Sequence, residues 1–432
     1  MQIGIIGSGH VGLVTGACFA DLGHHVVCVD SDRHKVTTLQ KGGCPIFEPE
    51  LHDMIRRSVQ QKRLRFSSEI GLAVRLCEVL FICVGTPPRE SGETDLSAVV
   101  QAAKTIAKSM RSYKLIVEKS TVPVETGAQI KKTIRENLSK RISFDVASNP
   151  EFLREGSAVQ DFLVPDRIVI GVESKRAEEL LRMIYRPFRA PLLVTDIKSS
   201  EIIKHASNSF LSMKISFINL IARLCDQVGA DVAKVAEGMG LDPRIQRSFL
   251  NAGIGFGGFC FPKDLAAFIH IAEKNGVEFG LLKEILAINQ GQKDYFVQLV
   301  EEKIGDLRGK KMAVLGLSFK PNTDDMRFAP SLDIIPLLQE RGAKISAYDP
   351  VAVQEAKKFL KNVQFVKSAY DACKGADAIL ILTEWREFQE IDLNRIKKTL
   401  KSPVVIDGRN IYDPAVMKSK GFRYHGIGRG SR

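Results

Sequence analysis

No stretch of this 432-residue sequence is apolar for long enough to cross a bilayer. A spanning helix needs about 20 consecutive apolar residues, so no membrane association is expected. The opening segment, MQIGIIGSGH, has no basic flank before its apolar run and is typical of a buried strand, not of a signal peptide. Low-complexity segments are also lacking, which favours a folded globular chain.

Paired cysteine spacings are absent as well. The eight cysteines are scattered along the chain without the spacing of metal ligands. Without an export signal, this pattern predicts free thiols, no bound metal and a reduced, cytoplasmic location.

The net charge of +12 is consistent with acidic ligands such as phosphates. The basic residues are dispersed, however, and runs such as KKTIRENLSKR (131–141) mix them with acidic and polar residues in a helical rhythm. This pattern favours a solvated helix face over a nucleic-acid patch, so no nucleic-acid partner is expected.

The first 200 residues alternate between strand-like and helix-like segments. Near-continuous Val, Ile and Leu runs are typical of strands buried on both faces of a parallel sheet. We predict strands at 2–7, 25–30, 78–85, 114–120, 144–149, 167–172 and 192–196. The alternation predicts a doubly wound α/β sheet.

The pattern changes at Ser200, after which about thirty residues contain no proline and no glycine before Gly229. Apolar residues at helical spacing predict one long helix there. Strand-like segments resume at 310–319. The predicted fold is therefore α/β, with two doubly wound Rossmann-like domains joined by a central helical region. The predicted domain boundaries are 1–199, 200–304 and 305–432.

Gly7, Gly9 and Gly12 have G-x-G-x-x-G spacing directly after the first predicted strand. In this motif the first glycine makes a turn, the second lets a pyrophosphate approach the backbone, and the third permits close packing. The second strand ends at Asp30, where a carboxylate would bind the ribose hydroxyls and repel a 2′-phosphate. The motif predicts NAD in preference to NADP, although Arg33 lies nearby.

Two threonines, Thr86 in VGTPP and Thr121 in EKSTVP, follow the carboxyl ends of predicted strands. Doubly wound sheets bind ligands at these ends, but taken alone the two threonines are more typical of turn or cap residues.

The segment GIGFGGFCFPKD (253–264) places four glycines within six residues before Cys260. Such a backbone must bend tightly or approach another group closely, which favours a functional thiol, although buried cysteines are often inert. Lys263 and Asp264 follow it, and Arg244 and Arg247 precede it.

Other candidate groups lie earlier in the chain. Glu151 and Glu155 follow a predicted strand, and Lys204 and Asn208 are four residues apart on one helix face. Surface pairing of the glutamate and solvation of the Lys/Asn pair are the alternatives.

A dinucleotide and a thiol together suit the oxidation of an alcohol to an acid. Hydride loss turns the alcohol into an aldehyde, which is a poor hydride donor until a thiolate adds to it. The resulting thiohemiacetal can lose a second hydride to give a thioester, which water hydrolyses. Lysine and amide groups would stabilise the oxyanions, and a carboxylate would activate the water.

These motifs resemble those of the UDP-glucose dehydrogenase family, within the wider UDP-sugar and GDP-mannose dehydrogenases. The similar stretches keep the family's order from residue 2 to about 414. They are GSGHVGLVTGACFADLGHHVVCVD, VGTPP, EKSTVP, SNPEFLREGSA, GFGGFCFPKD, GLSFKPNTDDMR, APSLDII and DGRNIYDP.

The resemblance implies oxidation of UDP-glucose to UDP-glucuronate with NAD. It implies that Cys260 is the nucleophile, that Lys204 and Asn208 stabilise oxyanions, that Asp264 holds a water, and that Glu151 is a general base with Thr121 orienting water. Residues implied on the NAD side are Gly7, Gly9, Val11, Gly12, Asp30, Arg33, Lys35, Thr86, Thr121, Glu155, Lys263 and Arg327. Residues implied to bind the sugar nucleotide are Glu151, Phe152, Leu153, Arg154, Glu155, Lys204, Asn208, Arg244, Phe249, Leu250, Asn251, Gly253, Gly257, Cys260, Phe319, Lys320 and Arg409.

The resemblance further implies a homodimer formed through the long helix, with Arg244 reaching into the partner's site. The chain departs from the family at Phe259, where serine is usual, and at Phe328, where a polar or charged residue is commoner. Other sugar nucleotides of the family stay open as substrates, and so do a two-electron hydroxy-acid dehydrogenase and a non-catalytic NAD-binding protein.

Overall fold

The computed structural model describes residues 1–89 and 91–430, and its strands form two separate sheets. The strands of the first sheet are β1 (Gln2–Ile6), β2 (His25–Val29), β3 (Leu64–Ser67), β4 (Val79–Ile82), β5 (Lys114–Glu118), β6 (Phe144–Ser148), β7 (Ile168–Gly171) and β8 (Leu192–Thr195). Those of the second are β9 (Lys311–Leu315), β10 (Lys344–Tyr348), β11 (Val363–Phe365), β12 (Ala378–Ile381), β13 (Val404–Asp407) and β14 (Arg423–Gly426).

Helices connect most of these strands. Up to the end of the long helix they are α1 (His10–Asp21), α2 (Arg33–Gln40), α3 (Leu51–Gln60), α4 (Ile70–Leu76), α5 (Ser97–Ser109), α6 (Thr126–Asn137), α7 (Ala158–Leu163), α8 (Lys175–Tyr185) and α9 (Ile197–Val228). After it come α10 (Val232–Gly240), α11 (Cys260–Lys274), α12 (Gly280–Ile304), α13 (Ser331–Glu340), α14 (Val353–Phe359), α15 (Ala369–Cys373), α16 (Arg386–Gln389), α17 (Leu393–Thr399) and α18 (Pro414–Ser419).

The first sheet has the order β3-β2-β1-β4-β5-β6-β7-β8. Its pairs are parallel except β6 with β7, which are antiparallel at Ser148 and Gly171. Its central strands are buried along their length, as their apolar sequences predict: Ile3 and Ile5 of β1 have no exposed surface. All carboxyl ends from β3 to β6 therefore meet at one edge of the sheet.

The second sheet repeats this arrangement with the order β11-β10-β9-β12-β13-β14, and its pairs are parallel throughout. The predicted α/β fold with two doubly wound sheets is confirmed. Three strands were not predicted from the sequence, namely β3, β11 and β14; each lies at the edge of its sheet or is only half-buried.

The predicted long helix is also confirmed. It is α9, which has 32 residues and ends before Gly229, whose φ of +77° stops a helix. Within the described ranges, no helix combines the length and the apolar character that crossing a bilayer requires. All eight cysteines are thiols outside any disulfide, as predicted.

The backbone packs as two compact units. Unit 1 comprises 1–207 and 266–277 and contains the first sheet. Unit 2 comprises 208–265 and 278–432 and contains the second sheet.

Candidate functional site

The glycine turn of unit 1 combines two crowded positions with one open position. Gly7 has a φ of +100°, and its N–H donates to the Val29 carbonyl at 2.8 Å. A Cβ on Gly12 would overlap the Gly7 carbonyl oxygen, so α1 packs tightly against the turn. Among the described residues, no heavy atom lies within 4 Å of a Cβ built on Gly9. The turn thus leaves room at the N-terminus of α1, where a pyrophosphate group fits.

Asp30 lies at the end of β2, next to this turn. Its Oδ2 accepts the Ser8 N–H at 2.9 Å and lies 3.1 Å from Lys35 Nζ, while its Oδ1 accepts the Asp32 N–H at 3.0 Å. The carboxylate is therefore fixed where a ribose bound at the turn would meet it. Arg33 is exposed in the first turn of α2.

A buried carboxylate that the sequence did not reveal connects this turn to the segment after β6. Glu48 accepts the N–H groups of Gly156 and Ala158, both at 2.8 Å, and lies 3.0 Å from Nε2 of His10. Burial lowers the pKa of His10, but the hydrogen bond to Glu48 and the charge of Glu155 outweigh it, so this pKa is raised. The positive charge of His10 is thereby favoured at the start of α1.

The two threonines lie together. Buried Thr86 donates its Oγ1 hydrogen to the Thr121 carbonyl at 3.0 Å. This bond joins the loops after β4 and β5, at the edge of the sheet where ligands bind.

Glu151 and Lys204 form a buried ion pair in unit 1. Lys204 Nζ lies 3.0 Å from Glu151 Oε1, and both side chains are 5% exposed. The other Glu151 oxygen accepts the Leu153 N–H at 2.6 Å, and Lys204 Nζ lies 5.5 Å from the centroid of the Phe152 ring. Lys204 is thus not a solvated helix residue. A buried pair of this kind holds both groups in place. Removing one partner leaves the other charge buried without a counter-charge, which lowers the stability of the fold by about 3–5 kcal/mol.

Lys119 is a second buried lysine in unit 1 that the sequence did not single out. Its Nζ donates to Asn149 Oδ1 at 2.9 Å, and the same oxygen accepts the Tyr185 hydroxyl at 2.5 Å. Burial lowers the pKa of Lys119 to about 8, despite the opposing charge of Glu151.

The cysteine loop of unit 2 is fixed by side-chain amides. Asn289 accepts the Phe256 N–H at 2.8 Å and donates to the Phe256 carbonyl at 3.0 Å, and Gln292 donates to the Gly253 carbonyl at 2.9 Å. Gly255 has a φ of +93°, in the left-handed region that glycine adopts without strain. The loop is therefore a defined backbone structure.

Cys260 is half-buried and begins α11. The positive end of a helix dipole stabilises a thiolate there. By contrast, Cys83 is buried, and burial raises its thiol pKa to about 12, which disfavours the thiolate. Of the eight cysteines, only Cys260 combines partial exposure with a position at a helix N-terminus.

Three polar side chains meet one turn from Cys260 in unit 2. Asp264 is fully buried; it accepts a hydrogen bond from Asn208 Nδ2 at 2.6 Å, and its Oδ1 lies 2.6 Å from Lys263 Nζ. Lys263 and Asn208 are themselves buried. The Asn208 amide and the Lys263 amine are buried donors near the head of α11, and donors of this kind can stabilise an oxyanion.

Arg409 follows β13 and contacts three segments of unit 2. It donates to the carbonyls of Leu382 (2.8 Å), Gly255 (3.0 Å) and Phe319 (3.2 Å). It therefore links the cysteine loop to the loops after β9 and β12.

Not all predicted residues join these clusters. Arg244 is 87% exposed and pairs with Asp242 at 2.6 Å. Arg154 pairs on the surface with Asp161 at 2.5 Å, and Asn251 is exposed. Among the residues that the structure describes, no group of three or more His, Cys, Asp or Glu side chains could hold a metal ion.

The chain has a dinucleotide-binding turn in a doubly wound sheet. It also has a cysteine at the start of a helix, next to buried polar side chains. These features define a dinucleotide-dependent oxidoreductase. Three family models match successive parts of the chain. They describe the NAD-binding domain (1–189), the central domain (198–291) and the UDP-binding domain (313–414) of the UDP-glucose/GDP-mannose dehydrogenase family. The chain belongs to this family, as the motifs predicted, and its cofactor is NAD.

Individual relatives match the whole chain. A UDP-glucose 6-dehydrogenase of Bacillus subtilis is 48% identical over 99% of this chain and 93% of its own length. The structure of a UDP-glucose dehydrogenase from Pyrobaculum islandicum has a TM-score of 0.92 at 39% identity and covers 99% of this chain and 97% of its own. A UDP-D-ManNAc dehydrogenase from Pyrococcus horikoshii has a TM-score of 0.87 at 29% identity, with full coverage of both chains.

Proposed function

We propose that the chain oxidises UDP-glucose to UDP-glucuronate with two molecules of NAD, through covalent intermediates on Cys260. The observation that carries this proposal is the position of half-buried Cys260 at the start of α11, in the same helical turn as buried Lys263 and Asp264. The relatives at 39–48% identity are named for UDP-glucose, while the UDP-D-ManNAc relative is 29% identical. These identities favour UDP-glucose among the sugar nucleotides.

The thiol is needed because the reaction removes four electrons. The primary alcohol loses a hydride and a proton and becomes an aldehyde. The Cys260 thiolate adds to the aldehyde carbon, and the new oxyanion takes a proton to give a thiohemiacetal. Loss of a second hydride and a proton gives a thioester, and water then cleaves its C–S bond, releasing the acid and restoring the thiol. NAD, when bound, accepts the hydride in both oxidations.

The buried polar groups of each unit match the needs of these steps. Lys204 and Asn208 would donate to the oxyanions, Asp264 would hold a water, and Glu151 would remove a proton from the water that attacks the thioester, with Thr121 orienting it. The ion pair with Lys204 holds the Glu151 carboxylate in place.

Most of the residues proposed for the cofactor and for the sugar nucleotide lie in different parts of the chain. Gly9 and Asp30 would take the pyrophosphate and a ribose of NAD, in agreement with the space at the turn and the fixed carboxylate. Arg409 and Lys320 would bind the sugar nucleotide. The proposed division of the chain remains 1–199 for NAD, 200–304 for the thiol and dimer contacts, and 305–432 for the sugar nucleotide.

A cytoplasmic homodimer completes the proposal. Phe210, Phe217 and Leu224 are exposed on one face of α9 at helical spacing, and such an apolar stripe is typical of a partner contact. Arg244, exposed in unit 2, would reach the partner's site.

The test is the stoichiometry of NADH formation with limiting UDP-glucose. We expect two NADH per UDP-glucose, and a loss of turnover by ~1,000-fold or more in Cys260→Ala. Cys44→Ala is the matched control, since Cys44 is also half-buried and outside any disulfide. One NADH with free aldehyde as product, or full turnover of Cys260→Ala, would contradict the proposal. GDP-mannose and N-acetylated UDP-sugars in the same assay test the substrate.

A further inference from the structure

The Phe259 ring, directly before Cys260, lies against two cations. The guanidinium carbon of Arg327 is 4.4 Å from the ring centroid, and Lys263 Nζ is 5.8 Å from it. Both distances are within the range at which a cation is attracted to an aromatic ring. All three residues belong to unit 2.

The backbone around this ring is fixed. The Gly258 N–H donates to the Arg327 carbonyl at 3.0 Å. A Cβ on Gly257 would overlap the Phe328 carbonyl oxygen, and one on Gly258 would lie 2.7 Å from the Phe319 ring. The cysteine loop and the segment that carries Arg327 are thus in direct contact, and Phe259 extends this contact to the side chains.

Each cation also has a carboxylate partner. Arg327 is bound to Asp325 by Nε at 2.9 Å and by Nη2 at 2.7 Å, and Lys263 Nζ lies 2.6 Å from Asp264. Arg327 is nevertheless 48% exposed, so a phosphate can approach its guanidinium. The Asp325 carboxylate and the Phe259 ring together hold this long side chain in one orientation.

We propose that Phe259 is a positioning residue, which holds the Arg327 guanidinium beside the cysteine loop so that it is ready to bind a phosphate of the dinucleotide. A serine at this position has no π face and could not supply this contact. The inference rests on the proposed function and on the family resemblance, which implies that Arg327 lies on the NAD side.

The experiment compares full-length variants by calorimetric titration with NAD. We expect Phe259→Leu, which keeps an apolar side chain but removes the ring, to raise the Kd for NAD by ~3- to 10-fold. Phe259→Tyr keeps the ring and should stay within about twofold of the parent protein. Phe328→Leu, in the segment of Arg327, is the matched control and should leave the Kd for NAD unchanged. The Kd for UDP-glucose should be unchanged in all three variants.

A double-mutant cycle separates positioning from general packing. In an Arg327→Gln background, Phe259→Leu should no longer change the Kd for NAD, because the group that the ring positions is gone. The same increase in both backgrounds would overturn the proposal.

If Arg327→Gln alone left the Kd for NAD unchanged, the assignment of Arg327 to the cofactor would be wrong. The contact between the Phe259 ring and the Arg327 guanidinium is then tested by thermal unfolding. The thermal midpoints are compared for the parent, Phe259→Leu, Arg327→Gln and the double variant. Non-additive midpoint shifts would support the contact between ring and guanidinium, and additive shifts would overturn it.

Discussion

The glycines of the dinucleotide turn have different physical roles, although the sequence presents them as one motif. Gly12 is required by packing, since a Cβ would overlap the Gly7 carbonyl oxygen, whereas Gly9 faces open space within the described structure. The fold therefore requires Gly12, and we propose that ligand binding requires Gly9.

This difference predicts opposite outcomes for two alanine substitutions. Gly12→Ala should destabilise the protein by ~2 kcal/mol or more, because α1 must move away from β1. Gly9→Ala should change the free energy of unfolding by less than ~1 kcal/mol but raise the Kd for NAD by ~10-fold or more, since the methyl group occupies the space for the pyrophosphate. Urea denaturation and titration with NAD measure both; a stable Gly12→Ala or unchanged NAD affinity of Gly9→Ala would refute this distinction.

Residues inside a local sequence motif could be predicted from the sequence. Residues whose partners are distant in the sequence could not. The glycines and Asp30 stand at fixed spacings after a strand. Glu48, which joins the turn to the segment after β6, and Lys119, which is buried against Asn149, acquire their environments only through folding. No periodicity or spacing marks either of them.

Lys119 should make stability depend on alkaline pH. Its pKa falls from an ordinary 10.5 to about 8 in the folded state. Above pH 10.5 the amine is neutral in both states, and burial carries no charge penalty. As the pH falls from 10.5 to 8, the unfolded protein takes up a proton while the folded protein keeps a neutral amine, so the folded state loses on the order of 3 kcal/mol of stability; the loss is constant below pH 8. The parent protein should therefore gain stability relative to Lys119→Met as pH rises.

Urea denaturation of both proteins at pH 7 and pH 10 measures this difference. Lys104→Met, on the exposed face of α5, is the control and should show no such pH dependence. A stability difference between the parent and Lys119→Met that is the same at both pH values would contradict the assignment.

At the scale of elements, α6 starts in an unusual way. Its N-cap residue, Glu125, has a φ of +78°, and the carboxylate that binds its first N–H groups comes from α9. Glu201 accepts the Glu125 N–H at 2.7 Å and the Gly127 N–H at 2.9 Å. A side chain three residues before Lys204 therefore fixes the helix that follows Thr121.

Glu201→Ala should destabilise the protein by ~2 kcal/mol, because two N–H groups lose their acceptor in a buried place. Glu201→Gln keeps one carbonyl oxygen and should cost about half as much. Glu136→Gln, at an exposed position of α6, should have little effect. Denaturant unfolding ranks the three variants, and equal stability of Glu201→Ala and Glu136→Gln would refute the cap.

Strands, like single residues, could be predicted from the sequence only where the signal is local. The buried central strands, such as β1 and β9, were predicted because both faces are apolar. The edge strands β3 and β11 alternate exposed and covered residues or are only three residues long. Their pairing depends on the neighbouring strand, and their own sequences contain too little signal to predict it.

At the scale of the whole molecule, the two units share a strand order but differ in how they use the acid after the second strand. Asp30 of unit 1 accepts one N–H of the turn and stays partly exposed. In unit 2 the corresponding Asp349 is buried and accepts from Leu317 N, Ser318 N and Trp385 Nε1. All of its Oδ2 contacts are internal, so this acid serves the fold. We therefore propose a ribose-binding role for Asp30 and not for Asp349.

The apolar stripe on α9 has a consequence for assembly. Its five large members, exposed by 41–66%, are Phe210, Phe217, Leu220, Leu224 and Val228. Their spacing of three, four and seven residues places them on one side of the helix. A self-complementary contact through such a stripe is typical of a two-fold dimer.

We therefore expect the parent protein to have about twice the chain mass of 47.8 kDa in solution. The double variant Phe217→Lys/Leu224→Lys should be monomeric, because it would place charges of one sign in the contact and leave them without water. Phe359→Lys replaces an apolar side chain of similar exposure on α14 and should remain dimeric. Light scattering coupled to size exclusion gives the masses. If the double variant were dimeric, the dimer interface would not lie on α9. The basis for placing Arg244 in the partner's site would then be lost.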